Sequence, residues 1–297
     1  MAKSRILHML APTNNVSPFD VNMAADAGFE IIVPYSGVDS DNVTGLIQDA
    51  IFSRAPKGFN YTGAFIGGYD VNLAADMLAK AKKAMVPPFE ISVFADPNGA
   101  YTTSAALVAL TERHLKDRTG EGLKNRKALI FGGGPVGVCA AVLIAQQGGK
   151  PTLVRLTASA KQEVVARFGE RYGVELPSAD GQSAEAKAEL LQSAHVAITA
   201  AKAGVRILDS ALLDKAPELL VAADVNAVPP TGIEGVEPTH NGAELKTAAG
   251  KIAAVGALAI GKIKYDVQHG LFKRMLESEQ AVCLDFPDAY ALAAQQV

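Results

Sequence analysis

The stretch that most restricts how this chain can fold is KALIFGGGPVGVCAAVLIAQQGG, residues 127–149. Gly132, Gly134 and Gly137 stand at G-x-G-x-x-G spacing. Before them runs a strand-suited segment, Ala128 to Phe131; after them comes a helical run with small residues (Gly137, Cys139, Ala140, Ala141) on its first turns. A second strand-like run, TLVRL, arrives at residues 152–156. The spacing alone is a weak signal, and a Gly-rich turn between strand and helix is the plain alternative. Strand before, helix after and second strand following make the dinucleotide-binding reading the stronger one. Each glycine then has a physical task. Gly132 permits the tight turn, Gly134 lets a pyrophosphate approach the backbone, and Gly137 lets the helix pack closely. Free N–H groups at the helix start bind anionic oxygens. Pro135, ahead of Val136, has no N–H to offer but is tolerated in a first turn.

The end of the second strand bears on which dinucleotide is held. An NAD site usually carries a carboxylate there, on the adenine ribose hydroxyls. This strand ends Leu153-Val154-Arg155-Leu156-Thr157, and the next acidic residue is Glu163. Arg155, Thr157, Ser159 and Lys161 are instead cations and hydroxyls suited to a 2′-phosphate. The pattern favours NADP and leaves NAD open; a solvated loop and helix start would show some of the same residues. Ala200 and Ala201, closing a strand expected at 196–201, and Asp224 with Asn226, after one expected at 219–225, complete the expected cofactor site.

The rest of the chain follows a strand–helix rhythm. Strands are expected at 5–10, 30–34, 62–67 and 91–95. Helices are expected at 19–27, 41–52 (capped by Ser40 or Asp41), 70–86 and 102–115. The polar KDRTGEGLKNRK, residues 116–127, reads as a linker, after which the rhythm restarts, with helices near 159–172 and 183–193 and a long one over 256–277. Alternation of this kind argues for parallel sheets with helices on their faces. At 297 residues the chain suits two domains, divided as 1–120, rejoined by a helical tail 265–297, and 121–264.

Charge and composition exclude several classes. The formal charge is −3 with no dense basic cluster, which argues against nucleic-acid binding. No apolar run approaches the ~18 residues of a membrane span, and the segment after Lys3 and Arg5 suits a buried strand better than a signal peptide. A cytoplasmic protein is expected. The two cysteines form no C-x-x-C pair, and the five histidines have no ligand spacing, so no metal site is expected.

Four polar clusters remain. ADPNGAYTT, residues 95–103, follows the fourth strand, at the end where parallel sheets gather ligands. Its Asp96, Asn98 and Gly99 fit a site or an ordinary turn, with Thr102 or Thr103 as helix cap. AADVNAVPPTGIEG, residues 222–235, is a rigid loop favoured as part of a site. SPFD, residues 17–20, puts Asp20 at a helix start, where complementing the helix dipole is the simpler role. GALAIGKIKYD, residues 256–266, presents Lys262 and Lys264 on different helix faces.

SPFDVNMAADAGFE, FIGG, ADPNGAYTT, FGGGPVG, ADVNAVPPTGI and GALAIGKIKY occur in this order across nearly the whole chain. Together they resemble the methylene-tetrahydromethanopterin dehydrogenases of methylotrophic bacteria, most of all the form that accepts either NAD or NADP. The resemblance implies an α/β fold in two domains, an N-terminal parallel-sheet substrate domain and a Rossmann-type domain, with a cleft between them. It implies hydride transfer from methylene-tetrahydromethanopterin to NAD(P)+ in one-carbon oxidation, by a homo-oligomer. It implies that Lys264 lies at the substrate site and that Asp20 lines the cleft. On that basis Asp20 or Asp96 is expected to stabilise developing positive charge, Lys264 to fix the pterin, and Asn98, Gly99, Thr102 and Thr103 to contact it. Two rivals stand beside this reading: the same reaction on tetrahydrofolate, and an NADPH-binding sensor without catalysis.

Overall fold

Strand–helix alternation builds two sheets in the computed structural model, which describes residues 3–157 and 162–297. The first run of elements is β1 (Ile6–Ala11), α1 (Pro18–Asp26), β2 (Ile31–Ser36), α2 (Val43–Phe52), β3 (Thr62–Ile66), α3 (Val71–Ala84), β4 (Ser92–Ala95) and α4 (Ala100–Thr119). The second begins with β5 (Lys127–Phe131), α5 (Pro135–Gln146), β6 (Lys150–Arg155), α6 (Gln162–Arg171), β7 (Ser178–Asp180) and α7 (Ala184–Leu191). It continues through β8 (Val196–Thr199), α8 (Ser210–Leu213), β9 (Val221–Asp224), β10 (Asn241–Thr247) and β11 (Gly250–Val255). Then follow α9 (Ala257–Glu277), β12 (Cys283–Leu284) and α10 (Phe286–Gln296). Internal contacts group these into two units: Met1–Thr102 with Tyr265–Leu292, and Thr103–Lys264 with Ala293–Val297.

The first unit holds a five-stranded sheet, parallel throughout, in the order β12-β4-β3-β1-β2. Counted from β2, the strands run second, first, third, fourth, last. The order reverses between β1 and β3, so the chain leaves these neighbours toward opposite faces and a crevice opens beyond their C-terminal ends. The last strand comes from the tail, with Cys283 opposite Val93 and Leu284 opposite Phe94. Phe65 of β3, Phe94 of β4 and Phe272 of α9 pack with ring centroids 5.2 to 5.4 Å apart. Each such aromatic pair adds ~0.5–1.5 kcal/mol beyond the area it buries. Residues 265–292 therefore belong to this unit and supply part of its core.

The second unit holds seven strands in the order β10-β11-β9-β8-β5-β6-β7. Leaving out the antiparallel edge strand β10, the parallel strands taken in chain order stand as 3-2-1-4-5-6, the Rossmann arrangement, with its reversal between β5 and β8. One face is filled by Leu129, Phe131, Leu191, Leu208, Leu213 and Ile233 among others. On the other lies α5, buried continuously from Gly137 to Ile144, which explains the small apolar residues of that segment.

Several elements depart from the sequence expectation. α2 begins at Val43 after Asn42, not at Ser40 or Asp41. The stretch expected as a linker opens with the last turn of α4. Ion pairs Arg113–Asp117 and Lys116–Glu112 at i,i+4 spacing extend that helix, and Gly120 (φ +73°) ends it with a bond from its N–H to the Lys116 carbonyl. Thr102 and Thr103 lie inside α4 rather than capping it. The β10–β11 hairpin has no strong sequence signal because β10, NGAELKT, is a polar edge strand without a buried side chain.

Candidate functional site

The glycine turn after β5 has three glycines for three different reasons. Gly132 has φ +120°, and a Cβ there would come within 2.5 Å of the Ala200 carbonyl oxygen and 2.9 Å of the Ala201 nitrogen. The turn thus abuts the end of β8 at the switch point, bringing Gly132, Ala200 and Ala201 together. Gly137 is pressed against the turn itself; a Cβ there would overlap the Gly132 carbonyl oxygen. Gly134 is different. Its backbone is extended (φ −76°, ψ 178°), which any residue adopts, and a Cβ would meet nothing within 4 Å. The fold does not require glycine at this position; a phosphate approaching the backbone would. Pro135 opens α5, and the first intrahelical bond runs from Val138 N to Gly134 O, so the N–H groups of Val136 and Gly137 stand ahead of the ladder, where an anion binds.

Arg155 ends β6, as the sequence indicates, and its Nε is buried without a hydrogen-bond partner among the described residues. A buried donor left without a partner suits an incoming acceptor. Opposite Arg155 on β7 stands Asp180, a carboxylate that the second strand itself does not supply. The Gln182 side-chain hydrogen bond, then its backbone N–H, hold the Asp180 carboxyl below its ordinary range, and Arg155 adds to the effect. Thr157 is exposed beyond the strand. Ser159 and Lys161 fall outside the described residues.

Asp224 and Asn226 work inside their own loop. Asp224 Oδ1 accepts from Thr199 Oγ1 (2.7 Å) and Asn226 N (3.0 Å), and Oδ2 accepts from Gly232 N (2.6 Å) and Ile233 N (3.3 Å). The Asn226 amide donates to the Val228 and Pro230 carbonyls and accepts from Val228 N. Gly232 is required here, since a Cβ would sit 2.8 Å from Thr199 Oγ1. These side chains tie the ends of β8 and β9 to the 226–233 loop, and any effect on a cofactor passes through that loop's shape.

In the first unit a pocket of about 140 Å³ lies at the switch point, beyond the ends of β1 and β3. Thr13, Asn15, Ser17 and Asp20 line it on one side, Gly67, Gly68 and Tyr69 on another, with Asn98 completing it. Gly68 (φ +99°) lets the second loop close on Pro12, whose Cγ would lie 2.7 Å from a Cβ there. Asp20 is in the first turn of α1, yet only 5% exposed, and accepts a 2.7 Å bond from Gln268 Nε2. Asn98 is held in the left-handed region (φ 52°), followed by Gly99 (φ +65°).

Asp96 is fully buried and turned toward α4. Its Oδ1 accepts from the N–H groups of Tyr101 and Thr102, and its Oδ2 from Thr102 Oγ1 at 2.6 Å. It is the cap that the sequence reading assigned to the threonines. Thr103 is half-buried in α4. Lys264 is half-buried on α9 and Lys262 exposed, and Lys264 stands one turn before Gln268 on the same helix face.

Sequence reasoning passes over Gln268, Asp180 and Tyr69. Gln268 did carry a signal, as a polar residue inside the apolar stripe Val267, Leu271, Phe272 and Met275. Asp180 carried none, because only the β6–β7 register sets it against Arg155.

Residues 18–98 match the family model described as methylene-tetrahydromethanopterin dehydrogenase, N-terminal. The chain is 48% identical over 297 residues, 99% of both chains, to the NAD(P)-dependent methylenetetrahydromethanopterin dehydrogenase of Methylorubrum extorquens. It is 32% identical over 280 residues, 94% of both, to the bifunctional protein MdtA of the same organism. Among solved structures, the shikimate 5-dehydrogenase of Listeria monocytogenes in complex with shikimate and NAD matches with a TM-score of 0.52 at 12% identity, over 95% of this chain and 94% of that one. That likeness shows the fold alone.

Proposed function

This chain belongs to the methylene-tetrahydromethanopterin dehydrogenase family, and from that membership we infer that it is an NAD(P)-dependent oxidoreductase acting on methylene-tetrahydromethanopterin. It removes a hydride from the methylene carbon and gives methenyl-tetrahydromethanopterin and NAD(P)H. The observation that carries this is identity of 48% across essentially the whole of both chains.

NAD(P)+, when bound, supplies the electrophilic nicotinamide carbon that accepts the hydride. The chain's own residues bind and orient. The start of α5, with the open space at Gly134, holds the pyrophosphate, and Gly132 and Gly137 keep that turn in shape. Arg155 takes a ribose 2′-phosphate through its guanidinium, and Asp180 beside it suits a ribose hydroxyl. The pair supports use of both nucleotides.

The pocket at the first unit's switch point receives the pterin. The reacting carbon bridges two nitrogens, so hydride loss leaves a cation delocalised over N–C–N, and no proton has to leave that carbon. A triad or general base is therefore not needed. A buried carboxylate is, because fixed negative charge in a poorly solvated site stabilises positive charge as it develops. Asp20 lines the pocket and fills that role; Asp96 is committed to capping α4 and supports Asn98 and Gly99. Lys264 hydrogen-bonds the pterin. Thr102, within the Asp96 cap, and Thr103 act by holding the start of α4.

A cytoplasmic homo-oligomer in one-carbon (formaldehyde) oxidation belongs to the same reading, supported by the family resemblance. The test is spectrophotometric: purified protein, methylene-tetrahydromethanopterin or methylene-tetrahydrofolate, and NAD+ or NADP+. NAD(P)H formation with a higher kcat/KM on the methanopterin carrier is expected. A higher value on the folate carrier reassigns the substrate, and nucleotide binding without turnover on either removes the enzymatic reading.

A further inference from the structure

Gln268 interrupts the apolar stripe of α9. Its neighbours on that stripe, Val267, Leu271, Phe272 and Met275, are buried, and Gln268 itself is 0% exposed. Burying an amide without partners is unfavourable, and a leucine would fill such a position at no such cost. Gln268 Nε2 donates to Asp20 Oδ1 at 2.7 Å, between residues 248 apart in the chain. Asp20 is the acid that lines the switch-point pocket.

We propose that Gln268 is a positioning residue for the dehydrogenation, its amide orienting the Asp20 carboxylate and holding it ionised at the pocket. A hydrogen bond to the charged form of an acid favours that form. An amide does so while adding no charge of its own. The proposal rests on the functional reading above, in which Asp20 stabilises the N–C–N cation. The interaction then gains strength as the hydride leaves, and its loss falls on kcat rather than on substrate binding.

The test assays NAD(P)H formation from methylene-tetrahydromethanopterin by wild type, Gln268→Leu, Asp20→Asn and the double variant. Gln268→Leu is expected to lower kcat about tenfold or more, with KM for both substrates within about threefold of wild type. The double variant is expected to fall within about twofold of Asp20→Asn, because residues acting through one contact are not additive. The NADP dissociation constant and thermal midpoint report folding. If the leucine variant does not fold, Gln268→Met takes its place; it keeps the unbranched length, removes the donor without adding charge and is expected to show the same kcat-selective loss. Wild-type kcat in a folded variant, or losses that add in the double variant, overturns the proposal while leaving the functional reading intact. A folded wild type that binds NADP but gives no turnover overturns that reading and the proposal with it.

Discussion

Gly134 and Gly137 belong to one motif, yet the structure separates what each does. Gly137→Ala sets a methyl group on the Gly132 carbonyl, and backbone cannot swing aside as a side chain does. It is expected to destabilise the fold by ~1–3 kcal/mol or more, read as a lower denaturation midpoint. Gly134→Ala meets open space and is expected to cost the fold no more than ~1 kcal/mol while raising KM for NAD(P) about tenfold. Equal effects of the two on KM and stability would contradict the assignment. Arg155 and Asp180 invite a second comparison: Arg155→Ala is expected to lower kcat/KM for NADP more than for NAD, and Asp180→Ala to do the reverse. Steady-state kinetics with both nucleotides checks it. Lys264→Ala is expected to lower kcat/KM at least about tenfold (~1.4 kcal/mol), and unchanged kinetics would remove Lys264 from the site. The sequence made Gly132, Gly134, Gly137 and Arg155 legible because each lies at a fixed offset within one βαβ unit. The apolar stripe of α9 marks Gln268 as out of place, but its partner Asp20 lies across a long chain separation and Asp180 meets Arg155 only through strand register, and no local pattern encodes either pairing.

Among the elements, the strands and helices on both sides of the switch points follow the hydrophobic rhythm, since buried parallel strands such as β3 and β8 leave continuous apolar runs. What the rhythm does not carry is polar edge structure such as β10, or the two-residue strand β12. Capping is likewise only partly readable, for Asp96 reaches across a left-handed Asn98 to cap α4 from outside the helix. At α10 the capping box has a pH consequence. Asp285 N donates to Asp288 Oδ2, and burial, then the Asp288 charge, push the Asp285 carboxyl up to about 7. The unfolded chain releases this proton near the ordinary value of 3.8, so between those limits the folded state binds more protons and stability declines as pH rises. Asp285→Asn keeps a good cap residue and removes the titration. Its thermal midpoint is expected to gain on wild type as pH is raised from about 4 to about 7. A difference that stays constant across that range would place the carboxyl's titration elsewhere.

For the molecule as a whole, both units obey one rule: a parallel sheet whose strand order reverses, with ligand-facing loops beyond the C-terminal ends at the reversal. The same physics gives a glycine turn with open helix N–H groups after β5, where we place the nucleotide, and an acid-lined pocket after β1 and β3. The central claim is that the hydride passes directly from the methylene carbon to the nicotinamide with no proton exchanged, so that charge stabilisation rather than acid–base chemistry drives the step. The most direct measurement uses methylene-tetrahydromethanopterin with both methylene hydrogens replaced by deuterium and follows the label by NMR. One deuterium is expected in the reduced nucleotide and one on the methenyl carbon, with none in water. Deuterium released to solvent, or a reduced nucleotide without label, would contradict the account.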